Sequence, residues 1–143
     1  MPSPRRQPDL DVPERFVTTR QAHRDETAED YVEAIDQLIA QRGEARVGEL
    51  GRVMGVSHVT VTRIIARLQR EGLVDTKPRK PITLTPPGKH LAEASRARHE
   101  LVLAFLIAAG VDPRQAQLDA EGIEHHVSDE TLEALSRLTR TLS

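Results

Sequence analysis

One stretch in the middle of the chain leaves little freedom in how its neighbourhood can fold: Leu50-Gly-Arg-Val-Met-Gly-Val-Ser-His-Val-Thr-Val-Thr-Arg-Ile-Ile-Ala-Arg-Leu68. Val47, Leu50 and Val53/Met54 have the spacing of a short helix, and Gly55-Val56 suits a tight turn. Ser57 is an N-cap for a second helix to about Gln69, which turns Val61, Ile64/Ile65 and Leu68 inward. Two short helices around a glycine turn are the helix-turn-helix layout. The opening residues of its second helix point away from the packed face, towards a major groove where the layout binds DNA. Ser57, His58, Thr60, Thr62 and Arg63 are therefore candidates for base edges and nearby phosphates. Ser57 also serves as a cap, and Thr60 also reads as a packed β-branched residue.

Gly72 ends that helix, and Leu73–Thr76 and Ile82–Thr85 read as two short strands around Lys77-Pro-Arg-Lys-Pro81. A hairpin directly after a helix-turn-helix makes a winged helix. Its tip residues Lys77, Arg79 and Lys80 can lie against the phosphate backbone, positioning the protein without reading sequence. A structural helical hairpin with a solvated basic face is the alternative. Turn, cap, polar helix start, hairpin and local positive charge would all have to coincide for it, so the stretch is read as DNA-binding.

The formal charge of −2 speaks against a polyanion as partner only until it is divided along the chain. Residues 1–24 carry a net +2, residues 25–43 a net −5, residues 44–90 a net +5 and residues 91–143 a net −4. The basic middle is the winged-helix segment, and the acidic flanks are suited to cations. The chain has no cysteine, which excludes disulfides, thiolate zinc sites, iron–sulfur clusters and cysteine nucleophiles. With two Phe, one Tyr and no Trp, the core must be aliphatic, which favours helices. The longest apolar run, Leu101 to Val111, is too short for the roughly 20 residues that span a bilayer, so no membrane partner is expected and the chain reads as cytoplasmic.

Residues 1–24, with Pro2, Pro4, Pro8 and Pro13, read as a flexible arm. A first helix is expected from Asp25 or Thr27 to about Arg42, with Tyr31, Ile35, Leu38 and Ile39 on its apolar side and Gly43 as its stop. Beyond the hairpin, helices are expected over roughly Gly88–Ala109, Asp112–His126 and Asp129–Thr141, the last capped by Ser128. The fold expected is mainly α: a winged helix-turn-helix over residues 25–87 and a helical domain over 88–143.

A second constellation is carboxylate and imidazole. Asp30 and Glu33 share one face of the first helix, and Glu121, Glu124 and His125 stand at i, i+3 and i+4 near the end of the fifth helical segment. His99 could add a second imidazole. Hard oxygen donors with some imidazole suit a divalent cation, and so many donors could hold two ions sharing a carboxylate. The same acids also suit solvated faces that stabilise helix dipoles, and spacing alone leans towards that reading. His126 reads as a capping or supporting residue. No nucleophile elbow and no glycine-rich phosphate loop is present.

These residues resemble the diphtheria-toxin-repressor family of metal-dependent transcriptional repressors, in its manganese-responsive branch. The resemblance runs from about Ala22 to Thr139. It is carried by Glu29-Asp-Tyr-Val-Glu33, Leu50–Leu68, Arg98-His-Glu100 and Asp119-Ala-Glu-Gly-Ile-Glu-His-His-Val-Ser128. It implies that Asp30, Glu33, His99, Glu121, Glu124 and His125 are metal ligands, and that the helical domain is a dimerisation domain. It also implies a homodimer activated by Mn²⁺, with up to two ions per chain, to repress manganese-uptake genes from a palindromic operator on double-stranded DNA. Fe²⁺, Co²⁺, Zn²⁺ or Cd²⁺ are expected to bind in vitro. The iron-responsive branch places thioether and thiol ligands where this chain has Asp30 and Glu121, and it adds an SH3-like domain not expected here. The wing tip lacks the glycine expected of the family, and the long N-terminal arm departs from it. A metal-dependent hydrolase using the same carboxylates and histidines is the rival reading.

Overall fold

The computed structural model describes the backbone of residues 12–143 and side chains from His23 onward. Helix α1 runs from Val12 to Arg42, so it begins well before the Asp25 or Thr27 expected from apolar periodicity. The reason is local: from Glu14 to Arg42 there is neither proline nor glycine, and Pro13 lies in the first turn, where its missing N–H costs nothing. Residues 12–24 thus continue the first helix instead of forming an arm, and residues 1–11 of the expected arm lie outside the described part.

Helix α2 (Val47–Met54) ends at Gly55, whose φ of 68° is the left-handed conformation a helix-terminating turn requires. Helix α3 (His58–Arg70) begins at Ser57, whose hydroxyl accepts from the Thr60 N–H. Strands β1 (Val74–Asp75) and β2 (Thr83–Leu84) pair antiparallel, Val74 opposite Leu84 and Asp75 opposite Thr83. An isolated bridge joins Ile82 to Ala45, tying the hairpin to the α1–α2 connection. Arg79 at the tip has a φ of 64°, so a non-glycine residue occupies the left-handed position there.

Helix α4 (Pro86–Ala108) is capped by Thr85 and leaves the hairpin at close quarters. A Cβ on Gly88 would stand 1.9 Å from the Leu73 carbonyl oxygen, so only glycine fits where α4 passes the residue before β1. Helix α5 (Pro113–Ile123) is shorter than expected, because the segment tightens into a 3₁₀ turn at Glu124–His126. Helix α6 (Asp129–Leu142) starts at its Ser128 cap.

Two cores result. Ile35 and Leu38 of α1, Leu50 of α2, Val61, Ile65 and Leu68 of α3, Val74 and Ile82 form the winged-helix core. Val102, Ala120 and Leu132 form a smaller one among α4, α5 and α6. Helix α4 packs on α1 as well as on α5 and α6, so the two cores meet along α1 and α4. Among the described residues no helix is long and apolar enough to cross a membrane.

Candidate metal centre and nucleic-acid interface

The carboxylates and imidazoles named above gather where α1, α4 and the 3₁₀ turn meet. His125 is buried, and its Nε2 lies 2.9 Å from Asp30 Oδ1 and 3.4 Å from Glu124 Oε1. The other Glu124 oxygen, Oε2, lies 2.9 Å from His99 Nδ1, which is also 3.5 Å from Glu121 Oε1. Two clusters of donors follow: His99, Glu121 and Glu124 on one side, and Asp30, His125 and Glu26 on the other, the donor atoms in each within 4.8 Å of one another. Glu124 faces both. Of the six residues named from sequence, five fall into these clusters. Glu33 is set beside them: its carboxylate accepts from Ser95 Oγ, and its charge bears on Glu124.

Glu124 is 1% exposed, and burial raises its pKa to about 8, reinforced by the charges of Glu33, Glu121 and Asp30 and opposed by His125. Burial also raises Glu33 despite the Ser95 hydrogen bond. His125 moves the other way from what burial alone would do. Hydrogen bonds to Asp30 and Glu29, with the nearby acids, overcome desolvation and raise its pKa to about 10. Its imidazolium, with the Arg98 guanidinium on Glu29, offsets the crowded acids.

The donor set fits a divalent ion on an independent observation. His99 Nδ1, Glu124 Oε2 and His125 Nε2 are buried and lack an aligned hydrogen-bond partner among the described residues. Each nevertheless lies within ion-pair distance of another donor, so these are close contacts without hydrogen-bond alignment, an arrangement that a shared cation satisfies.

Two supporting residues were not singled out from sequence. Glu29 is buried, pairs with His125 Nδ1 and accepts from Arg98. Burial pushes its carboxyl up, but these two hydrogen bonds overcome it and leave the carboxyl below its ordinary range. A carboxylate on the far nitrogen of an imidazole fixes the ring and frees Nε2 for the donor cluster. The signal was present in the spacing, since Glu29 is four residues before Glu33 on α1, but an acid in an acid-rich stretch carries no mark of burial. Glu26 is the second.

Helix α3 carries the residues expected from sequence to meet DNA. Ser57, His58, Thr62 and Arg63 are exposed and Thr60 is half-buried, with the Ser57 and Thr60 hydroxyls 3.0 Å apart within the cap. A groove runs between His58 and Arg46 on one side and the tip residues Lys77, Arg79 and Lys80 on the other, all of them solvent-facing or lining it. Sequence reasoning passed over Val59, which is 77% exposed at the start of α3.

Residues 25–82 match the family model of the iron-dependent repressor N-terminal DNA-binding domain, and residues 85–143 that of the iron-dependent repressor metal-binding and dimerisation domain. The chain belongs to the iron-dependent repressor family. The transcriptional regulator MntR of Escherichia coli O157:H7 is 46% identical over 127 residues, 89% of this chain and 82% of the relative. The HTH-type transcriptional regulator MntR of Lysinibacillus sphaericus (strain C3-41) is 35% identical over 114 residues, 80% of this chain and 82% of the relative. Among solved structures, the manganese regulator SloR superposes with a TM-score of 0.68 at 27% identity, covering 79% of this chain and 53% of that one. A manganese-dependent transcriptional repressor in complex with manganese gives 0.69 at 31% identity, covering 79% and 52%. The chain spans about half the length of these two solved structures. The repressor family consists of transcriptional regulators, so the chain is not an enzyme, and nothing in these relatives supports a hydrolase.

Proposed function

We propose that this chain is a manganese-responsive transcriptional repressor, acting in the cytoplasm as a homodimer on a palindromic operator to limit manganese uptake. One observation carries the reading: the donor clusters join the two halves of the fold. Asp30 and Glu33 stand on α1, the helix that also supplies Ile35 and Leu38 to the winged-helix core. His99, Glu121, Glu124 and His125 belong to α4, α5 and the 3₁₀ turn of the helical half.

These six residues would hold the metal, up to two ions per chain, with Glu124 shared because its two oxygens face His99 and His125 separately. A bound divalent ion supplies the positive charge that lets the buried carboxylates ionise together. Asp30, Glu33, Glu121 and Glu124 otherwise repel one another across the junction between the halves. When they are held together, α1 keeps α3 at a fixed angle to the dimerising helices. Two α3 helices then match major grooves about 34 Å apart. Oxygen and imidazole donors suit Mn²⁺, although Fe²⁺, Co²⁺ and Zn²⁺ stand above it in intrinsic affinity, so geometry and availability set the choice. Those ions, and Cd²⁺, would occupy the same residues in vitro. Ile107, Leu118, Ile123, Leu138 and Leu142 are exposed on the helical half, which supports a second copy as their cover.

The test is a fluorescence-anisotropy titration on a duplex recovered by selection from a randomised pool. Mn²⁺ should tighten wild-type binding by about 5- to 150-fold, the range of ordinary coupling energies. His125→Ala should abolish the Mn²⁺ effect while gel filtration still reports a dimer. Equal wild-type affinity with and without Mn²⁺ would overturn the reading.

A further inference from the structure

Ser95 lies fully buried in the middle of α4. A serine inside a helix commonly turns its hydroxyl to solvent or back to the carbonyl of the preceding turn. This one donates across to Glu33 Oε1 on α1, 62 residues away in sequence. A hydroxyl has a single proton, so the bond to Glu33 excludes the local one.

Helix α4 gives two other acids of α1 a charged partner instead. Arg98 donates to Glu29 Oε1, and Arg96 Nη2 lies 2.7 Å from Asp36 Oδ2. Neither Glu29 nor Asp36 belongs to the six residues of the centre. Glu33 does, and it meets a neutral donor. The difference matters to a cation, because a guanidinium on Glu33 would offset the charge that attracts the ion, whereas a hydroxyl holds the carboxylate and leaves its charge in place. Ser95 also stands four residues before His99 on α4, so hydroxyl and imidazole share one face of that helix. Of the six residues, Glu33 is the one beside the two donor clusters, where a long side chain gains most from being held before the ion arrives. We propose that Ser95 is a positioning residue of the metal centre: it holds Glu33 Oε1 and leaves the other oxygen of that carboxylate for the ion. The inference rests on the reading of the six residues as metal ligands.

The experiment is a double-mutant cycle on Mn²⁺ affinity, measured by isothermal titration calorimetry on chelator-stripped wild type, Ser95→Ala, Glu33→Ala and the double variant. Circular dichroism checks that each is folded at the titration temperature. Ser95→Ala should weaken Mn²⁺ binding by about 10- to 100-fold, as loss of a partner behind a ligand does. In the Glu33→Ala background, where five of the six residues remain, the same change should alter affinity by less than about 2-fold. A purely structural serine would lower affinity alike in both backgrounds, and that result would overturn the proposal. Equal affinities for wild type and Ser95→Ala would overturn it too. Ser95→Cys keeps a similar volume with a weaker donor, so its affinity should fall between wild type and Ser95→Ala; it carries the test if Ser95→Ala does not fold, and wild-type affinity in Ser95→Cys would then count against the hydroxyl. Wild type that takes up no Mn²⁺ would remove the centre and Ser95's role with it, whereas Mn²⁺ uptake without an effect on DNA binding would end the regulator reading and leave the cycle decisive for Ser95.

Discussion

The two halves of the molecule are built by different means. The winged-helix half buries Ile35, Leu50, Leu68 and Ile82 almost completely and has a continuous core of its own. The helical half buries only Val102, Ala120 and Leu132 as its central cluster, leaves Ile123, Leu138 and Leu142 exposed, and encloses Glu124 and His125 instead. Apolar burial stabilises without regard to direction, whereas buried charge stabilises only when its partners are in place. The first half thus rests mainly on apolar burial, and the second also on charge partners supplied by α1.

The largest expected effect tests that contrast directly. Leu50→Ala should cost about 2–5 kcal/mol in unfolding free energy, the range for emptying a well-packed aliphatic position. Ile123→Ser, on the exposed surface of the helical half, should change the unfolding of an isolated chain by less than about 0.5 kcal/mol while weakening self-association. Chemical denaturation and sedimentation equilibrium measure the two. If both substitutions destabilise the monomer equally, the halves are not different in kind.

A smaller effect is expected at Glu29, which pairs with His125 Nδ1 and with Arg98. Glu29→Gln keeps the shape and removes the charge, so Mn²⁺ affinity should fall about 10- to 100-fold with little loss of fold. Isothermal titration calorimetry would show it, and unchanged affinity would remove Glu29 from the support of the centre.

What the sequence made legible follows the same division. Helices α2 and α3, the turn at Gly55 and the Ser57 cap were read from local rules, because periodicity, a left-handed glycine and a capping hydroxyl act within a few residues. The start of α1 was missed, since a helix without an apolar stripe shows itself only by the absence of breakers. At the centre, donor spacing within α1 and α5 was visible, but spacing alone leaned towards a solvated face. The partners from other elements, Ser95 on Glu33 and Arg98 on Glu29, lie 62 and 69 residues away in sequence and depend on how α4 packs on α1. Spacing picked out the six donors, the family resemblance read them as ligands, and the fold added Glu29 and Glu26 around them.

The pH dependence of stability sharpens the contrast further. In the folded chain Glu124 titrates at about 8 against an ordinary 4.5, and His125 at about 10 against 6.5. Between pH 6.5 and 8 the folded state of metal-stripped protein therefore holds more protons at these groups than the unfolded chain does. Stability should fall as pH rises across that window. Metal binding displaces those protons, so Mn²⁺ should bind more tightly as pH rises and offset the fall. Melting temperatures recorded from pH 6.5 to 8 should decline in the presence of chelator and stay level or rise with saturating Mn²⁺. Parallel curves would mean that these groups do not take part in metal binding.

The smallest expected effect lies on the winged-helix half, at Val59. A side chain that is 77% exposed stabilises little, so Val59→Ser should leave the melting curve within about 0.5 kcal/mol of wild type. Its place in the first turn of α3, beside exposed His58 and Thr62, gives it a different use. An apolar group there can meet a thymine methyl in the major groove, a contact that distinguishes bases without hydrogen bonding. Val59→Ser should then lower affinity for the selected duplex by a few-fold without changing the salt dependence of binding, because no phosphate contact is lost. Arg63→Ala is the companion measurement: losing a cation near the phosphates should flatten that salt dependence. If Val59→Ser and Arg63→Ala change the salt slope alike, α3 does not divide base reading from phosphate contact in this way.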